Sequence, residues 1–225
     1  SSTNCEAMRN NWPNIFGYSK TSQSVQLILQ KFPTRSTSNE TIIDLKCFLD
    51  DLNNAFELNI SKLNIDSARF LISKDLVSNQ INFDLIIGSN SSVNYLTIRG
   101  VDSLNKIYCN QNNIRDISAH QTSLSSGDTS IDNNRTYLTH FVADSNNIYE
   151  LEKIFNCFDN ILTKNLKTLA LADNRISYIP RGCFSNLKAL ENIYLNQNNL
   201  TQINKDDFQD LENIKEIYIS SNAIK

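Results

Sequence analysis

The stretch IYLNQNNLTQI, residues 193–203, decides the fold, because IYCNQNNIRDI has already occurred at residues 107–117 with its apolar, Asn and polar positions in the same order. The underlying pattern is L-x-x-L-x-L-x-x-N-x-L, with other apolar residues admitted at the Leu positions. It begins five times, and the starts are separated by 34, 28, 24 and 24 residues. We number each repeat from its first apolar residue. The first to fifth repeats begin at Leu104, Leu138, Leu166, Leu190 and Ile214. A recurring period of this length predicts an array of stacked structural units.

The spacing inside each repeat predicts a short strand followed by a turn. Apolar residues at positions 4 and 6 share one face of a strand, and successive strands would stack about 4.8 Å apart in a parallel sheet. Asn at position 9 follows the strand, where its amide can pair with backbone groups of neighbouring turns. Apolar residues at positions 11 and 14, with Phe184 and Phe208 at position 19, would fill the interior from the return side.

This pattern resembles the leucine-rich-repeat family, in the variety with a Phe spine and about 24 residues per repeat that is common in secreted and cell-surface proteins. The resemblance covers residues 104–225. It implies an α/β-type solenoid, a curved right-handed coil with one parallel β-sheet on the concave face, a mostly irregular convex side and an N-terminal cap.

The resemblance also suggests a division of the chain. Leu58-x-Ile60 and Leu85-x-Ile87 are candidates for two degenerate repeats upstream, with Leu96-x-Ile98 as an alternative. We therefore expect an N-terminal capping region at residues 1–56 and a solenoid of about seven repeats at residues 57–225.

Several segments depart from the repeat. Residues 118–135 are rich in Ser, Thr, Asn, Asp and Gly, which predicts an inserted exposed loop, with a ligand-contacting loop as the alternative. Residues 22–32 fit a short helix or a strand, and residues 42–56 alternate apolar side chains before Cys47, as a capping strand would. The sequence stops just after position 11 of the fifth repeat, so we expect that a C-terminal cap or further repeats are missing from it.

The five Cys residues raise the question of disulfides. Similarity to the stapled N-caps of extracellular family members implies a bridge between Cys5 and Cys47. Cys157 and Cys183 each precede a Phe at similar places on consecutive repeats, which is compatible with a second bridge or with two buried free thiols. Cys109 replaces Leu at position 6 and should be an inert thiol in the core.

Asn-x-Ser/Thr sequons occur about as often as the Asn, Ser and Thr content gives by chance, so they do not by themselves indicate secretion. They would still be glycan acceptors in a secreted chain. Of the five, Asn134 in the predicted loop is the one we expect to be occupied. The sequons are at Asn39, Asn59, Asn90, Asn134 and Asn199.

Composition and motifs disfavour several classes of function. The 21 basic and 24 acidic residues give a net charge of -3 without long runs, which does not favour nucleic acid or anionic lipid as a partner. No apolar stretch approaches the roughly 18 to 20 residues of a membrane helix. His120, His140 and the isolated Cys lack metal-ligand spacing, and no phosphate loop or nucleophile motif is present. Asp206 and Asp207 are interpreted as solvated charge. We predict no catalytic activity, cofactor or metal.

Strand residues that alternate with the core form the predicted binding surface on the concave face. Tyr beside small polar side chains suits protein contacts, because an aromatic ring offers a large area at low entropic cost, although Tyr also simply covers sheets. Small Ala170 and Ala172, between Tyr108 and Tyr194, would leave a shallow trough near the middle of the face. The candidate ligand-binding residues are Tyr108, Asn110, His140, Asp144, Asp173, Tyr194, Asn196 and Tyr218.

These features favour an extracellular leucine-rich-repeat binding module, similar to receptor ectodomains or to secreted immune and adhesion proteins of arthropods. Such a module would recognise a protein or another macromolecule on its concave face. The alternatives are a cytosolic scaffold or regulatory subunit built from the same repeats, and a structural matrix protein.

Overall fold

The chain forms thirteen β-strands and one short helix within the part that the computed structural model describes. The described residues are 16–21, 24–29, 40–44, 57–60, 67–71, 83–87, 94–99, 104–120, 138–155 and 164–225.

A nine-stranded sheet runs through the whole array. Its first two strands pair antiparallel, and every later neighbour is parallel. Its strands, in order across the sheet, are β1 (Phe16–Thr21), β2 (Ser24–Leu29), β4 (Glu57–Ile60), β6 (Phe83–Ile87), β8 (Leu104–Tyr108), β10 (His140–Val142), β11 (Thr168–Ala170), β12 (Asn192–Tyr194) and β13 (Glu216–Tyr218). Parallel neighbours joined by return segments are the arrangement of a β-solenoid.

The register of this sheet aligns the five repeats as the sequence predicted. Ile193 at position 4 pairs with Leu169 on one side and Ile217 on the other. The same line continues upstream through Phe141, Ile107, Leu85 and Leu58. Strands β4 and β6 therefore extend the ladder of the clear repeats.

A second, four-stranded parallel sheet was not anticipated, because the return segments were expected to be mostly irregular. Its strands are β3 (Glu40–Asp44), β5 (Ser67–Leu71), β7 (Tyr95–Arg99) and β9 (Asp116–His120), and Leu96, the alternative repeat residue, belongs to it. From β2 to β9 the strands of the two sheets alternate along the chain, so each turn supplies one strand to each sheet. Within residues 164–225 the return segments contain turns and no strand, as the repeat pattern predicted.

The second sheet corrects the predicted limits of the inserted loop. Residues 118–120 were assigned to the loop, but their backbone pairs with residues 97–99 and continues β9. The rest of that segment, residues 121–135, lies outside the described residues. Of the two N-terminal segments, residues 22–32 contain the strand β2 rather than a helix, and β3 overlaps the start of residues 42–56.

The core lies between the first sheet and the return segments. Position 4 residues from Ile107 to Ile193 are fully buried, and each such side chain contributes roughly 1.5–3 kcal/mol by leaving water. The Phe spine is confirmed: buried Phe184 stacks on Phe208 with ring centroids 5.8 Å apart. The helix α1 (Leu151–Phe155) adds Leu151 and Ile154 to the same core.

Buried Asn side chains join consecutive turns, also as predicted. The Nδ2 of Asn198 donates to the carbonyl oxygens of Leu195 at 3.2 Å and Asn196 at 3.3 Å, and to that of Leu171 in the preceding repeat at 2.9 Å. Its Oδ1 accepts a hydrogen bond from the backbone N–H of Ile176 at 2.9 Å. The equivalent bonds are made by Asn146, Asn174 and Asn222. This Asn ladder satisfies backbone groups that the turn leaves without a strand partner.

Candidate functional site

The outer sheet face consists of the side chains at positions 3, 5, 7 and 8 of the first sheet, on the side opposite the core. In β10 and β12 the central residue is buried while its two neighbours are partly exposed, as strand alternation requires. This face carries all eight candidate binding residues that the sequence selected.

Residues at position 5 form one line in the backbone register of the first sheet. The register places Ile28, Asn59, Ile86, Tyr108, Val142, Ala170, Tyr194 and Tyr218 in successive strands. Tyr194 and Tyr218 are adjacent on this line, whereas two strands separate Tyr194 from Tyr108. The three candidate tyrosines are therefore a pair and a separate residue, not a single cluster.

Two tyrosines of the outer sheet face stack on each other. The rings of Tyr194 and Tyr218 stack with centroids 4.8 Å apart and planes inclined by 7°. Tyr218 is 44% exposed. Its hydroxyl donates to Oε2 of Glu216 at 3.3 Å, and the negative charge of Glu216 raises the pKa of Tyr218 above its ordinary value. Glu216 is not among the candidate residues predicted from the sequence, since its contact with Tyr218 depends on side-chain geometry within one strand.

Two of the selected polar residues also hold strands together. Oδ1 of Asp144 accepts from the backbone N–H of Ala172 at 2.7 Å, and Oδ1 of Asn110 accepts from the N–H of Asp144 at 3.2 Å. Partial burial raises the pKa of Asp144, the hydrogen bond from Ala172 opposes that rise, and the negative charge of Asp173 adds to it. Asn110 and Asp144 therefore have structural roles besides any contact with a ligand.

Position 8 has a backbone conformation that the sequence analysis missed. These residues have left-handed φ angles between 52° and 57°, although none is Gly. In the sequence, these five residues share only a polar side chain directly before the position 9 Asn. Because Gln, Ser and Asp differ in shape, this similarity was not sufficient to predict a left-handed backbone. Because φ is positive, the turn rather than strand alternation directs these side chains. The position 8 residues are Gln111, Ser145, Asp173, Gln197 and Ser221.

Ala170 and Ala172, the small residues of the predicted trough, differ in exposure. Ala170 is only 5% exposed, because Val142 and Tyr194 flank its methyl group in adjacent strands, while Ala172 is partly exposed. Of the remaining candidates, Asn196 is partly exposed, and Nδ1 of His140 lies within hydrogen-bond distance of the Thr139 hydroxyl at 2.9 Å.

Ion pairs border the outer sheet face at position 2. Oε2 of Glu191 lies 2.6 Å from Nζ of Lys215, and Oε1 lies 3.7 Å from Nζ of Lys167. The hydrogen bond from Lys215 is the main cause that lowers the pKa of Glu191. The two lysines at this edge are therefore engaged by one carboxylate between them.

The cysteines differ from the predicted disulfide pattern. Cys183 has a free thiol, so the predicted bridge to Cys157 is not present in this structure, and Cys157 itself lies outside the described residues, as do Cys5 and Cys47. Burial raises the pKa of Cys183 to about 12. Cys109 is a fully buried free thiol, and burial raises its pKa to about 12 as well. Both properties agree with the expected inert core residue.

Two of the five sequon asparagines lie among the described residues. Asn199 is exposed directly after the Asn ladder, and Asn59 lies on the position 5 line. Asn39, Asn90 and Asn134 are outside the described residues.

Asp206 is exposed as expected, but Asp207 is buried, and its Oδ2 accepts a hydrogen bond from the backbone N–H of Asn204 at 2.7 Å. The interpretation of Asp207 as solvated charge is wrong, since it closes a turn.

The described residues contain neither a candidate metal site nor a helix that could span a membrane. No group of three or more His, Cys, Asp or Glu side chains in these ranges could hold a metal ion. None of the helices found there has the length and apolar character needed to span a membrane.

Comparisons with known proteins agree with the repeat pattern in the C-terminal part. A family model described as leucine rich repeat matches residues 164–224. Among solved structures, the chain is similar to the crystal structure of an internalin from Listeria monocytogenes, with 20% sequence identity and a TM-score of 0.39 over 79% of this chain. The chain spans 58% of the length of that internalin. No curated protein matches the sequence.

Proposed function

Since residues 164–224 belong to the leucine-rich-repeat family, we propose that the chain is a non-enzymatic binding module that recognises a protein ligand on its outer sheet face. The observation that carries this proposal is the stacked pair of Tyr194 and Tyr218 on that face. Tyr side chains are enriched among the residues that dominate protein interfaces, because they bury a large area and have few rotatable bonds.

The scaffold under the Tyr pair supports this role. The backbone N–H of Leu195 donates to the carbonyl of Tyr218 at 2.7 Å, and that of Leu171 donates to the carbonyl of Tyr194 at 2.9 Å. The Asn ladder fixes the turns that follow. A surface whose strands are already fixed loses little conformational entropy on binding, so its contacts contribute more fully to affinity.

A peptide library displayed on phage provides a direct test. Binders selected on the wild-type protein would be measured against Tyr194→Ala and Tyr218→Ala by isothermal titration or surface plasmon resonance. We expect a loss of affinity of tenfold or more for each variant. The matched control is Tyr178→Ala, because Tyr178 is similarly exposed at 43% but lies on a return segment. Equal affinity of the selected binders for all three variants and the wild type would overturn the proposal.

We further propose that the protein acts outside the cell, with a Cys5–Cys47 bridge and glycans at exposed sequons such as Asn199. The resemblance to the Phe-spine repeats of secreted and cell-surface proteins supports this location. The thiols of buried Cys109 and partly buried Cys183 suit either compartment, since their raised pKa values suppress oxidation. Mass analysis of nonreduced peptides from the natural source tests the location: free thiols at both Cys5 and Cys47 together with unmodified sequons would favour the cytosolic scaffold.

A further inference from the structure

We infer that the ligand is a protein segment that presents a cationic side chain, arginine above all, to the Tyr194–Tyr218 pair and the carboxylates around it. This inference rests on the proposed function, because it specifies the chemistry of a partner that binds the outer sheet face.

The charges on the part of this face formed by the second to fifth repeats are negative, whereas position 3 of the first repeat is Lys106. In the second to fifth repeats, positions 3, 5, 7 and 8 carry three carboxylates and neither Lys nor Arg. The carboxylates belong to Asp144, Asp173 and Glu216. Lys167 and Lys215, at position 2 of the third and fifth repeats, contact Glu191. A partner that buries this part of the face therefore has to supply positive charge, or the three carboxylates lose water without a compensating charge.

Aromatic and acidic groups meet at one point of the face. Oε2 of Glu216 accepts a hydrogen bond from the hydroxyl of Tyr218 at 3.3 Å, and the ring of Tyr218 stacks on that of Tyr194. A cation above a Tyr ring is attracted by the negative face of the ring, and an adjacent carboxylate attracts the same cation. Glu216 and Tyr218 thus offer two favourable interactions to one positively charged group.

The remaining carboxylates extend this preference across the sheet. Asp173 and Asp144 belong to the third and second repeats, one and two strands away from Tyr194 across the sheet and three and two positions further along the repeat. Asp144 is partly buried and lies close enough to Asp173 for the two charges to repel. A bound cation relieves this repulsion, so an extended segment with basic residues fits the face along the repeats.

Arginine fits better than lysine on geometric grounds. Its planar guanidinium stacks on an aromatic ring while donating several hydrogen bonds in that plane, whereas an ammonium is a compact, strongly hydrated charge. The ring of Tyr218, which is 44% exposed, is accessible to a stacked planar group.

The test uses the phage-selected peptides and their own variants. We expect Arg to be enriched in peptides selected on the wild-type protein and lost from those selected on Tyr194→Ala. Replacing the contacting Arg by Ala in a chosen peptide should weaken binding tenfold or more, and replacing it by Lys at least threefold. Glu216→Gln should weaken the same peptide at least threefold and reduce the dependence of affinity on salt.

Glu212→Gln is the matched control, since Glu212 is an exposed acid on a return segment, paired with Lys188 at 3.0 Å. It should leave affinity and salt dependence unchanged, and thermal melting would verify that each variant is folded. Peptides that depend on Tyr194 and Tyr218 but lack basic residues, or that bind Glu216→Gln as well as wild type, would overturn the inference while the proposed function stands. Peptides insensitive to both Tyr substitutions would overturn the proposed function itself.

Discussion

Asn198 and Asn199 are neighbours in the chain with opposite environments. The Asn198 side chain is buried and makes four hydrogen bonds to backbone groups of two repeats, whereas the Asn199 side chain is exposed on the surface. The same residue type thus serves as an internal connector at position 9 and as an ordinary surface residue at position 10.

This contrast gives the first prediction. Asn198→Ala leaves the buried N–H of Ile176 without its side-chain partner, whereas the carbonyl of Leu171 keeps the hydrogen bond from Asn174 at 3.2 Å. We expect the substitution to lower the free energy of unfolding by about 2 kcal/mol. Asn199→Ala should change it by less than about 0.5 kcal/mol. Urea denaturation of both variants, produced without glycosylation, measures the difference. Similar midpoints for the two would show that the Asn ladder contributes little to stability.

Position 8 gives the second prediction. Gln197 has φ of 56°, a conformation that a β-branched side chain tolerates poorly and that Asn tolerates well. We expect Gln197→Val to destabilise the protein by about 1–2 kcal/mol, whereas Gln197→Asn leaves it unchanged or slightly more stable. The side chain of Gln197 is exposed, so loss of core packing does not confuse the comparison. Equal melting temperatures for the two variants would contradict the left-handed conformation at this position.

The cysteines give the third prediction. With pKa values of about 12 for Cys109 and Cys183, the thiolate fraction at pH 7.5 is on the order of 10⁻⁴ or less. Iodoacetamide should therefore leave both thiols unmodified in the native protein and modify both after denaturation. Mass spectrometry of the peptides identifies the sites. Labelling of Cys183 in the folded protein within minutes would place its thiol in a more exposed setting than the structure has.

The sequence was sufficient to predict the features that recur at the same position of all five repeats. Ile193, Tyr194 and Asn198 have counterparts at the same positions of the other repeats, so a single register fixed the side of the sheet on which each one lies. The Asn ladder followed from the same regularity, because a buried amide after a strand has few partners other than the backbone of adjacent turns.

Other features of the structure could not be predicted from the sequence, because they depend on contacts that are not encoded in the repeat pattern. Strands β5 and β7, with the sequences SARFL and YLTIR, share no motif with the later return segments, so the second sheet had no visible period. The stacking of Tyr194 on Tyr218 depends on the rotamers of both residues, and the burial of Asp207 depends on a turn that begins at Asn204. Positions on a face were predictable, whereas pairwise side-chain geometry was not.

The charge of Asp144 gives the last prediction, on pH dependence. Partial burial raises the folded-state pKa of Asp144 above its ordinary value of 3.8, so the folded protein favours the protonated carboxyl. The contribution of this group to stability is fully present below the unfolded-state pKa and is lost as pH rises through the folded-state pKa. Asp144→Asn keeps an Oδ1 acceptor for the N–H of Ala172, as Asn110 does one repeat earlier, and removes the ionisation. We therefore expect the variant to match wild type near pH 3 and to exceed its melting temperature from pH 5 to 7. Asp206→Asn, which removes the same formal charge from an exposed site, separates this effect from that of net charge. A variant less stable than wild type at pH 7 would mean that the charged hydrogen bond to Ala172 outweighs the desolvation of Asp144.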